Sequence, residues 1–113
     1  MTGTKRDRFE FLQGTLDMLI LKTLGASPLH GYAIAQQINR TSRALLQVPQ
    51  GSLYPALHRL EQKGWLAAEW TETESGREAK VYRLTRKGRT HLESEIADWR
   101  RLSQAIALIL EGA

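Results

Sequence analysis

The chain has 113 residues, of which 42% are hydrophobic and 25% are charged, values typical of one folded domain. It contains no cysteine, which excludes disulfide frameworks, thiolate zinc sites and cysteine nucleophiles. The formal net charge of +4 favours an anionic partner such as nucleic acid.

The N-terminal segment, residues 1–10, mixes basic and acidic side chains and lacks the apolar stretch of a secretion signal. No apolar run in the sequence approaches the roughly 20 residues that cross a bilayer. We therefore expect a short N-terminal arm on a cytoplasmic protein that has no membrane partner.

Two helices are predicted next. Apolar residues recur at helical spacing between residues 12 and 24, and the glycine and proline that follow within four positions end this helix. Gly31 begins a second, shorter helix, in which Ile34 and Ile38 lie four residues apart.

A third helix is predicted by leucines that recur at helical spacing, Leu53, Leu57 and Leu60. Pro55 predicts its first turn, because proline is tolerated where the missing N–H would have been unpaired. Ser52 is then the expected N-cap, and Gly64 is the expected stop at the C-terminal end.

After Gly64 the pattern indicates two short strands, residues 65–72 and 79–84, joined by a polar loop. Thr85 is predicted to cap a long final helix. The apolar residues of that helix are spaced close to a heptad: Leu92, Ile96, Trp99, Leu102, Ile106 and Ile109. The rest of the chain offers too few apolar faces to cover this seam, so we expect a second copy as its partner, in a homodimer.

The predicted fold is mainly α with a small β-hairpin. The second and third helices form a helix-turn-helix, and the hairpin makes it a winged helix-turn-helix. The expected division is an N-terminal arm at residues 1–10, a DNA-binding domain at 11–84, and a dimerisation helix at 85–113.

The third helix has the position of a DNA-recognition helix. Its buried leucines leave five residues on or near the outer face, Ser52, Pro55, His58, Arg59 and Gln62, with Tyr54 at the edge. The hydroxyls of Ser52 and Tyr54 suit phosphate. The side chains of His58, Arg59 and Gln62 suit base edges, and Arg59 in particular prefers guanine. From the pattern alone, a merely solvated helix face is an equal alternative.

Positive charge is concentrated at residues 77–89, where six basic residues accompany one acid, Glu78. Their position next to a helix-turn-helix favours a basic hairpin tip that docks on phosphates over a solvated charged face. The side chains predicted to bind DNA here are Arg77, Lys80, Arg83 and Lys87.

No catalytic site, metal site or cofactor is predicted. The three histidines lie in different elements, and the sequence has no phosphate-binding loop, nucleophile elbow or zinc-peptidase motif. Trp65 and Trp70 are expected to pack the hairpin against the core. Trp99 is either a dimer-core residue or part of a site for a small planar ligand.

Three segments carry a resemblance to a known family: HGYAI at residues 30–34, GSLYPALHRLEQKGWL at 51–66 and YRLTRKG at 82–88. From about residue 11 to 110 the chain resembles the PadR-like transcriptional regulators. The resemblance implies a winged-helix homodimer that binds palindromic operators, usually as a repressor. By position it implies DNA contacts from Ser52, Tyr54, His58 and Arg59, and wing contacts from Arg77, Lys80 and Arg83.

In the compact members that this chain resembles, the single C-terminal helix makes the dimer, and some bind aromatic effectors there, which makes Trp99 a candidate effector contact. The sequence departs from the family at Glu78, often basic in similar proteins, and at Val81, often aromatic. The hairpin also carries acidic residues that support an alternative function, a winged-helix module for protein or RNA: Glu69, Glu72, Glu74 and Glu78.

Overall fold

The computed structural model describes residues 13–112. The arm predicted at residues 1–10 and the first residue of the first predicted helix, Leu12, lie outside this range. The elements follow in the order α1 (Gln13–Leu24), β1 (Leu29–His30), α2 (Gly31–Thr41), α3 (Gln50–Gln62), β2 (Leu66–Glu72), β3 (Glu78–Leu84) and α4 (Arg86–Glu111). The prediction of a mainly α, winged helix-turn-helix fold is confirmed.

The sheet has three antiparallel strands in the order β1-β3-β2, one more than the predicted hairpin. The additional strand, β1, pairs Leu29 with Tyr82 and His30 with Val81. Two residues are too few to leave an alternating pattern in the sequence, which explains why this strand was missed. Because α2 begins directly after β1, this pairing fixes the start of α2 against the wing.

The core lies where α1, α2 and α3 meet the inner face of the sheet. Its largest fully buried side chains are Ile20, Leu21, Ile34, Leu53, Leu57, Leu60 and Leu66. Burial of one such side chain stabilises the fold by about 1.5–3 kcal/mol. The prediction that the leucines of α3 face the core is therefore confirmed.

The start of α3 lies earlier than predicted. Its N-cap is Pro49, and the N–H of Leu53 donates to the Pro49 carbonyl over 2.9 Å. Ser52 therefore lies inside the helix, and the prediction that it caps α3 is wrong. Pro55 lies in the second turn, where it removes the N–H that would bond the carbonyl of Gly51. Both residues are exposed, so water can satisfy that carbonyl.

The end of α3 is the predicted one. Gly64 has a positive φ of 78°, its N–H donates to the Glu61 carbonyl, and the N–H of Trp65 donates to the Leu60 carbonyl. This pair of hydrogen bonds is the Schellman arrangement, which closes the helix and directs the chain into β2.

Thr85 caps α4 as predicted. Its Oγ1 accepts from the N–H of Gly88 over 2.9 Å, and the same hydroxyl lies 2.7 Å from the Gly64 carbonyl, to which it donates. The first half of α4, which has 26 residues, packs against α1. The described residues measure 59 × 37 × 24 Å along their principal axes. Within residues 13–112, no helix has the length and apolar character needed to cross a membrane.

Candidate nucleic-acid interface

Opposite its buried leucines, α3 presents a continuous exposed stripe made of Gly51, Pro55, His58 and Gln62, here called the outer stripe. These residues follow at intervals of four, three and four, which places them on one side of a helix. No described residue lies within 4 Å of a Cβ built on Gly51. The N-terminal half of the outer stripe is therefore low and accessible, and the polar side chains stand in its C-terminal half.

The four predicted contacts on α3 divide between this stripe and its two flanks. His58 lies in the outer stripe. Tyr54 lies on one flank, 42% exposed, and a Cβ added to Gly31 of α2 would be only 2.9 Å from its ring. Ser52 and Arg59 are half-buried on the other flank.

The guanidinium of Arg59 is engaged inside the chain. Its Nη2 donates to Oδ1 of Asp17 on α1 over 2.6 Å, and the two side chains are 34% and 23% exposed. Burial raises the pKa of Asp17, although the nearby Arg59 and Lys63 act to lower it. The side chain of Arg59, which was predicted to read guanine, therefore turns toward α1 and away from the outer stripe.

The opposite flank of α3 is joined to the wing by a second ion pair. Nζ of Lys80 on β3 donates to Oε1 of Glu61 over 3.1 Å, a bond that raises the pKa of Lys80. The same ammonium lies 5.9 Å from the ring of Trp70 and 5.6 Å from that of Tyr82. Lys80 thus holds the wing against α3.

Trp70 is 63% exposed, so the expectation that it packs the hairpin on the core is wrong. It pairs with Lys80 across the hairpin, and its ring lies 5.9 Å from the Lys80 ammonium. Trp65 is half-buried and stacks on His91 of α4, with ring centroids 3.5 Å apart. The indole of Trp65 therefore joins the base of the wing to α4.

The predicted wing contacts do not share one face. Side chains alternate along a strand, so Arg83 points to the side of the sheet opposite Lys80 and Tyr82. Arg83 is exposed beside Ala67 on β2, and Arg77 is exposed in the loop before β3. The structure places these basic groups around the wing and does not gather them into one patch.

The tip of the wing is acidic, which corrects the prediction of a basic tip. The loop between the strands holds Glu74 and Arg77, and Glu72 pairs with Glu78 across the strands at its edge. Of the basic residues between 77 and 89, only Arg77 lies at the tip, and the others lie on β3 or at the start of α4. The positive charge therefore lies near α3 and the start of α4.

Lys87, at the start of α4, reaches the end of α3. Its Nζ lies 3.8 Å from a Cβ built on Gly64, close to the last carbonyl groups of α3. Positive charge is favoured at the C-terminal end of a helix. The side chain is exposed, so Lys87 remains accessible between α3 and the base of the wing.

Sequence reasoning gave no role to Lys63, an exposed residue that follows the outer stripe. Its Nζ lies 5.1 Å from the ring of Trp65, which orients the ammonium at the C-terminal end of α3. The available signal was its position four residues after Arg59, which places it on the same side of the helix.

A helix with an accessible outer stripe, held between α1 and a short wing, is the arrangement of winged helix-turn-helix regulators. Residues 20–94 match the transcriptional regulator PadR-like family. The chain belongs to this family.

Known PadR-like proteins resemble the chain over nearly its whole length. The transcriptional regulator Rv3488 of Mycobacterium tuberculosis is 34% identical over 103 residues, which cover 91% of this chain and 90% of that protein. The PadR family regulator from Eggerthella lenta has a TM-score of 0.82 and 32% identity, over 96% of this chain and 93% of that one. A PadR-like regulator from Bacillus cereus has a TM-score of 0.77 and 26% identity, over 92% of this chain and 99% of that one.

Members of the PadR family are transcriptional regulators and not enzymes, so this chain is a DNA-binding regulator. Among residues 13–112 there is also no cluster of three side chains that could hold a metal ion. His30, His58 and His91 lie in three different elements, β1, α3 and α4.

The predicted dimer residues of this PadR-like chain fall into two groups. Leu92 is buried and Ile96 packs against the core, so both serve the packing of the chain on itself. The other four are exposed by between 45% and 78%: Trp99, Leu102, Ile106 and Ile109. An apolar face therefore begins at Trp99, one turn after α4 leaves the core.

Trp99 also borders a groove of about 240 Å³ between α1 and α4. Met18 of α1 and Leu102 of α4 provide its apolar walls, and Glu95 and Asp98 provide its carboxylates. Trp99, the candidate effector residue of this PadR-like chain, therefore lies beside α1, the helix that carries Asp17.

Proposed function

We propose that the chain is a repressor that binds a palindromic operator in double-stranded DNA as a homodimer. The observation that carries the proposal is the outer stripe of α3, which is accessible while both flanks of the helix are tied down. Arg59 joins one flank to α1, and Glu61 joins the other to the wing. These two contacts set the orientation of the recognition helix in the free protein, before it meets the major groove.

The outer stripe suits close approach to DNA. Gly51 and Pro55 project little from the N-terminal half of α3, the part that meets base edges in helix-turn-helix proteins. His58 and Gln62 follow one and two turns beyond Pro55, and their nitrogen and oxygen atoms can bond base edges when the low N-terminal half lets the helix approach closely. We assign base reading to these two side chains, and phosphate contacts to the hydroxyls of Ser52 and Tyr54.

The basic residues around the wing supply attraction that is independent of sequence. Lys87 and Lys80 lie nearest to α3, and Arg83 and Arg77 lie further along the wing. Each cation placed on a phosphate releases counterions, so each makes binding more sensitive to salt.

The exposed apolar face of α4 supports the homodimer. A second copy that covers the face from Trp99 to Ile109 would remove these side chains from water and produce two-fold symmetry. The two copies of α3 would then meet half-sites about 34 Å apart. We also propose that the groove beside Trp99 accepts a small aromatic effector, and that the protein works in the cytoplasm with the DNA it binds.

The acidic tip of the wing favours a second candidate function, a winged-helix module that binds another protein. Glu72 and Glu78 face each other across the strands, and their charges repel phosphate. Such a protein would show the fold described above without preferring any DNA sequence.

The test is a fluorescence-anisotropy titration of the full chain against its own upstream DNA and a scrambled duplex, at two salt concentrations. We expect a preference of about a thousandfold or more for the operator, with a steep loss of affinity in higher salt. Equal and weak binding to both duplexes would contradict operator recognition and support the second candidate.

Matched variants locate the contact. Gln62→Ala removes an exposed amide from the outer stripe, whereas Gln104→Ala removes an exposed amide from α4. We expect the first to reduce discrimination at one base position by about 1–3 kcal/mol and the second to change nothing. Equal effects of the two substitutions would place the interface elsewhere.

A further inference from the structure

The Arg59–Asp17 pair lies at the boundary between the proposed DNA surface and the interior. Arg59 follows His58 directly and lies four residues after Pro55, so its backbone borders the outer stripe. Its guanidinium nevertheless turns toward α1, where Asp17 accepts its hydrogen bond over 2.6 Å. A side chain with the strongest preference for guanine thus stands next to the reading surface and is held away from it.

The contact is one that DNA can displace. Arg59 is 34% exposed, so its guanidinium can leave the pair without crossing the core. For Asp17, the cost of burial exceeds the attraction of Arg59, and its pKa is raised in consequence. An ion pair in which the desolvation of the carboxylate outweighs the attraction of its partner contributes little to stability.

We infer that Asp17 is a positioning residue that withholds Arg59 from DNA, so that operator binding exchanges the carboxylate of Asp17 for a guanine edge or a phosphate. This inference rests on the proposed function. The free protein then binds DNA more weakly than its cationic side chains allow, because part of the binding free energy is used to separate the pair.

The position of Asp17 gives the exchange a route of control. Asp17 precedes Met18, which lines the groove beside Trp99, and Glu95 of α4 lines the same groove and acts on the Asp17 carboxylate. A shift of α1 relative to α3 would change the distance between Asp17 and Arg59. The helix α1 therefore takes part both in the groove beside Trp99 and in the contact that holds Arg59.

The test compares the operator affinity of the full-length wild type with Asp17→Asn, Arg59→Gln and the double variant. Asp17→Asn keeps the shape of the side chain and removes its charge. Glu93→Gln is the control, because it removes one negative charge from an exposed site on α4 that makes no ion pair among the described residues. Circular dichroism and sedimentation check that each variant is folded and has the wild-type assembly state.

We expect Asp17→Asn to bind the operator about five- to tenfold more tightly than the wild type, a typical coupling between two sites. The gain should disappear in the double variant, which should bind like Arg59→Gln, and Glu93→Gln should bind within about twofold of the wild type. If Arg59 moves to a guanine edge, Asp17→Asn should raise the discrimination between operator and scrambled DNA; if it moves to a phosphate, the affinity for both duplexes should rise equally.

Weaker or unchanged binding by Asp17→Asn would overturn the inference, and so would a gain that persists when Arg59 is replaced. In either case specific binding by the wild type leaves the proposed function standing. A wild type that does not distinguish the operator from the scrambled duplex would overturn the proposed function, and the inference with it.

Discussion

Gly88 makes the closest approach between α4 and the rest of the chain. A Cβ at this position would overlap the carbonyl oxygen of Trp65 and lie 2.8 Å from Cδ1 of Leu84. Trp65 cannot move aside, because its carbonyl also accepts from the backbone N–H of Thr85. The glycine in the family segment YRLTRKG is thus explained by the packing of α4 against the start of β2.

We expect Gly88→Ala to lower the free energy of unfolding by about 1–3 kcal/mol, because the added methyl group overpacks a rigid contact. Urea denaturation measures this change. Gly14→Ala is the control, since no described residue lies within 4 Å of a Cβ built there. It should leave stability unchanged or raise it by up to about 1 kcal/mol through helix propensity. Equal losses in both variants would show that the close approach does not limit stability.

Asp17 makes a prediction about pH. A raised pKa means that the folded chain holds the proton more tightly than the unfolded chain does. The stability contributed by this group is therefore present below pH 3.8, its unfolded value, and is lost as the pH rises through the folded pKa.

We expect Asp17→Asn to be at least as stable as the wild type at pH 7, and to lose less stability than the wild type as the pH rises from 3.8. Urea unfolding of both proteins across this pH range measures the difference. If the variant were less stable by more than about 1 kcal/mol at pH 7, the ion pair would be a net stabilising contact.

At the scale of single elements, the wing and α3 differ in how well their sequences predicted them. The leucine repeat placed α3 correctly, because burial of one face imposes a period of 3.6 residues. The wing was predicted in its strands but not in its charge. The basic run at residues 77–89 was assigned to the tip as a whole, although only Arg77 of its basic residues lies between the predicted strands, beside Glu74 and Glu78.

The acidic tip allows a direct test of the wing. Glu78→Lys replaces an exposed acid that faces Glu72 across the strands, so it also removes a repulsive pair. If the tip lies near phosphates, we expect tighter binding to every DNA sequence and a salt slope steeper by about 1.

Glu93→Lys on α4 makes the same charge change away from the wing, and anisotropy titrations at several salt concentrations compare the two. Matching behaviour of the two variants would show that the wing tip stays clear of DNA. Arg83→Ala should have the opposite effect to Glu78→Lys, with a salt slope shallower by about 1.

The assembly of the whole molecule depends on the apolar face that α4 exposes from Trp99 onward. Trp99 and Leu102 lie on this face, whereas Leu108 is turned about half a circle away on the same helix. Both leucines are exposed in the described chain, by 59% and 69%. They therefore form a matched pair for a test of assembly.

We expect Leu102→Glu to produce a monomer, because a carboxylate in an apolar interface is costly to desolvate, and Leu108→Glu to leave the dimer intact. Sedimentation velocity at several protein concentrations distinguishes the two states. An intact dimer in Leu102→Glu, or equal dissociation of both variants, would contradict the proposed interface. Operator affinity should fall when the dimer is lost, since a monomer contacts only one half-site.

Sequence patterns were sufficient to predict the helices, the two long strands, the cap at Thr85 and the stop at Gly64. These features follow from local rules, namely the period of buried residues and the chemistry of helix ends, and the short family segments added the identity of the fold. The start of α3 was predicted too late from Pro55. A proline inside a helix is tolerated only when tertiary packing compensates for it, and the sequence does not show that packing.

The accessibility of the predicted DNA contacts became evident only from the packing of the folded chain. Arg59 and His58 are neighbours in the chain, yet one turns to Asp17 on α1 and the other stands in the outer stripe. The packing also divided the heptad seam, since Leu92 is used by the core and Trp99 is not. Both outcomes depend on contacts between residues far apart in sequence, and such contacts leave no period or spacing from which they could be predicted.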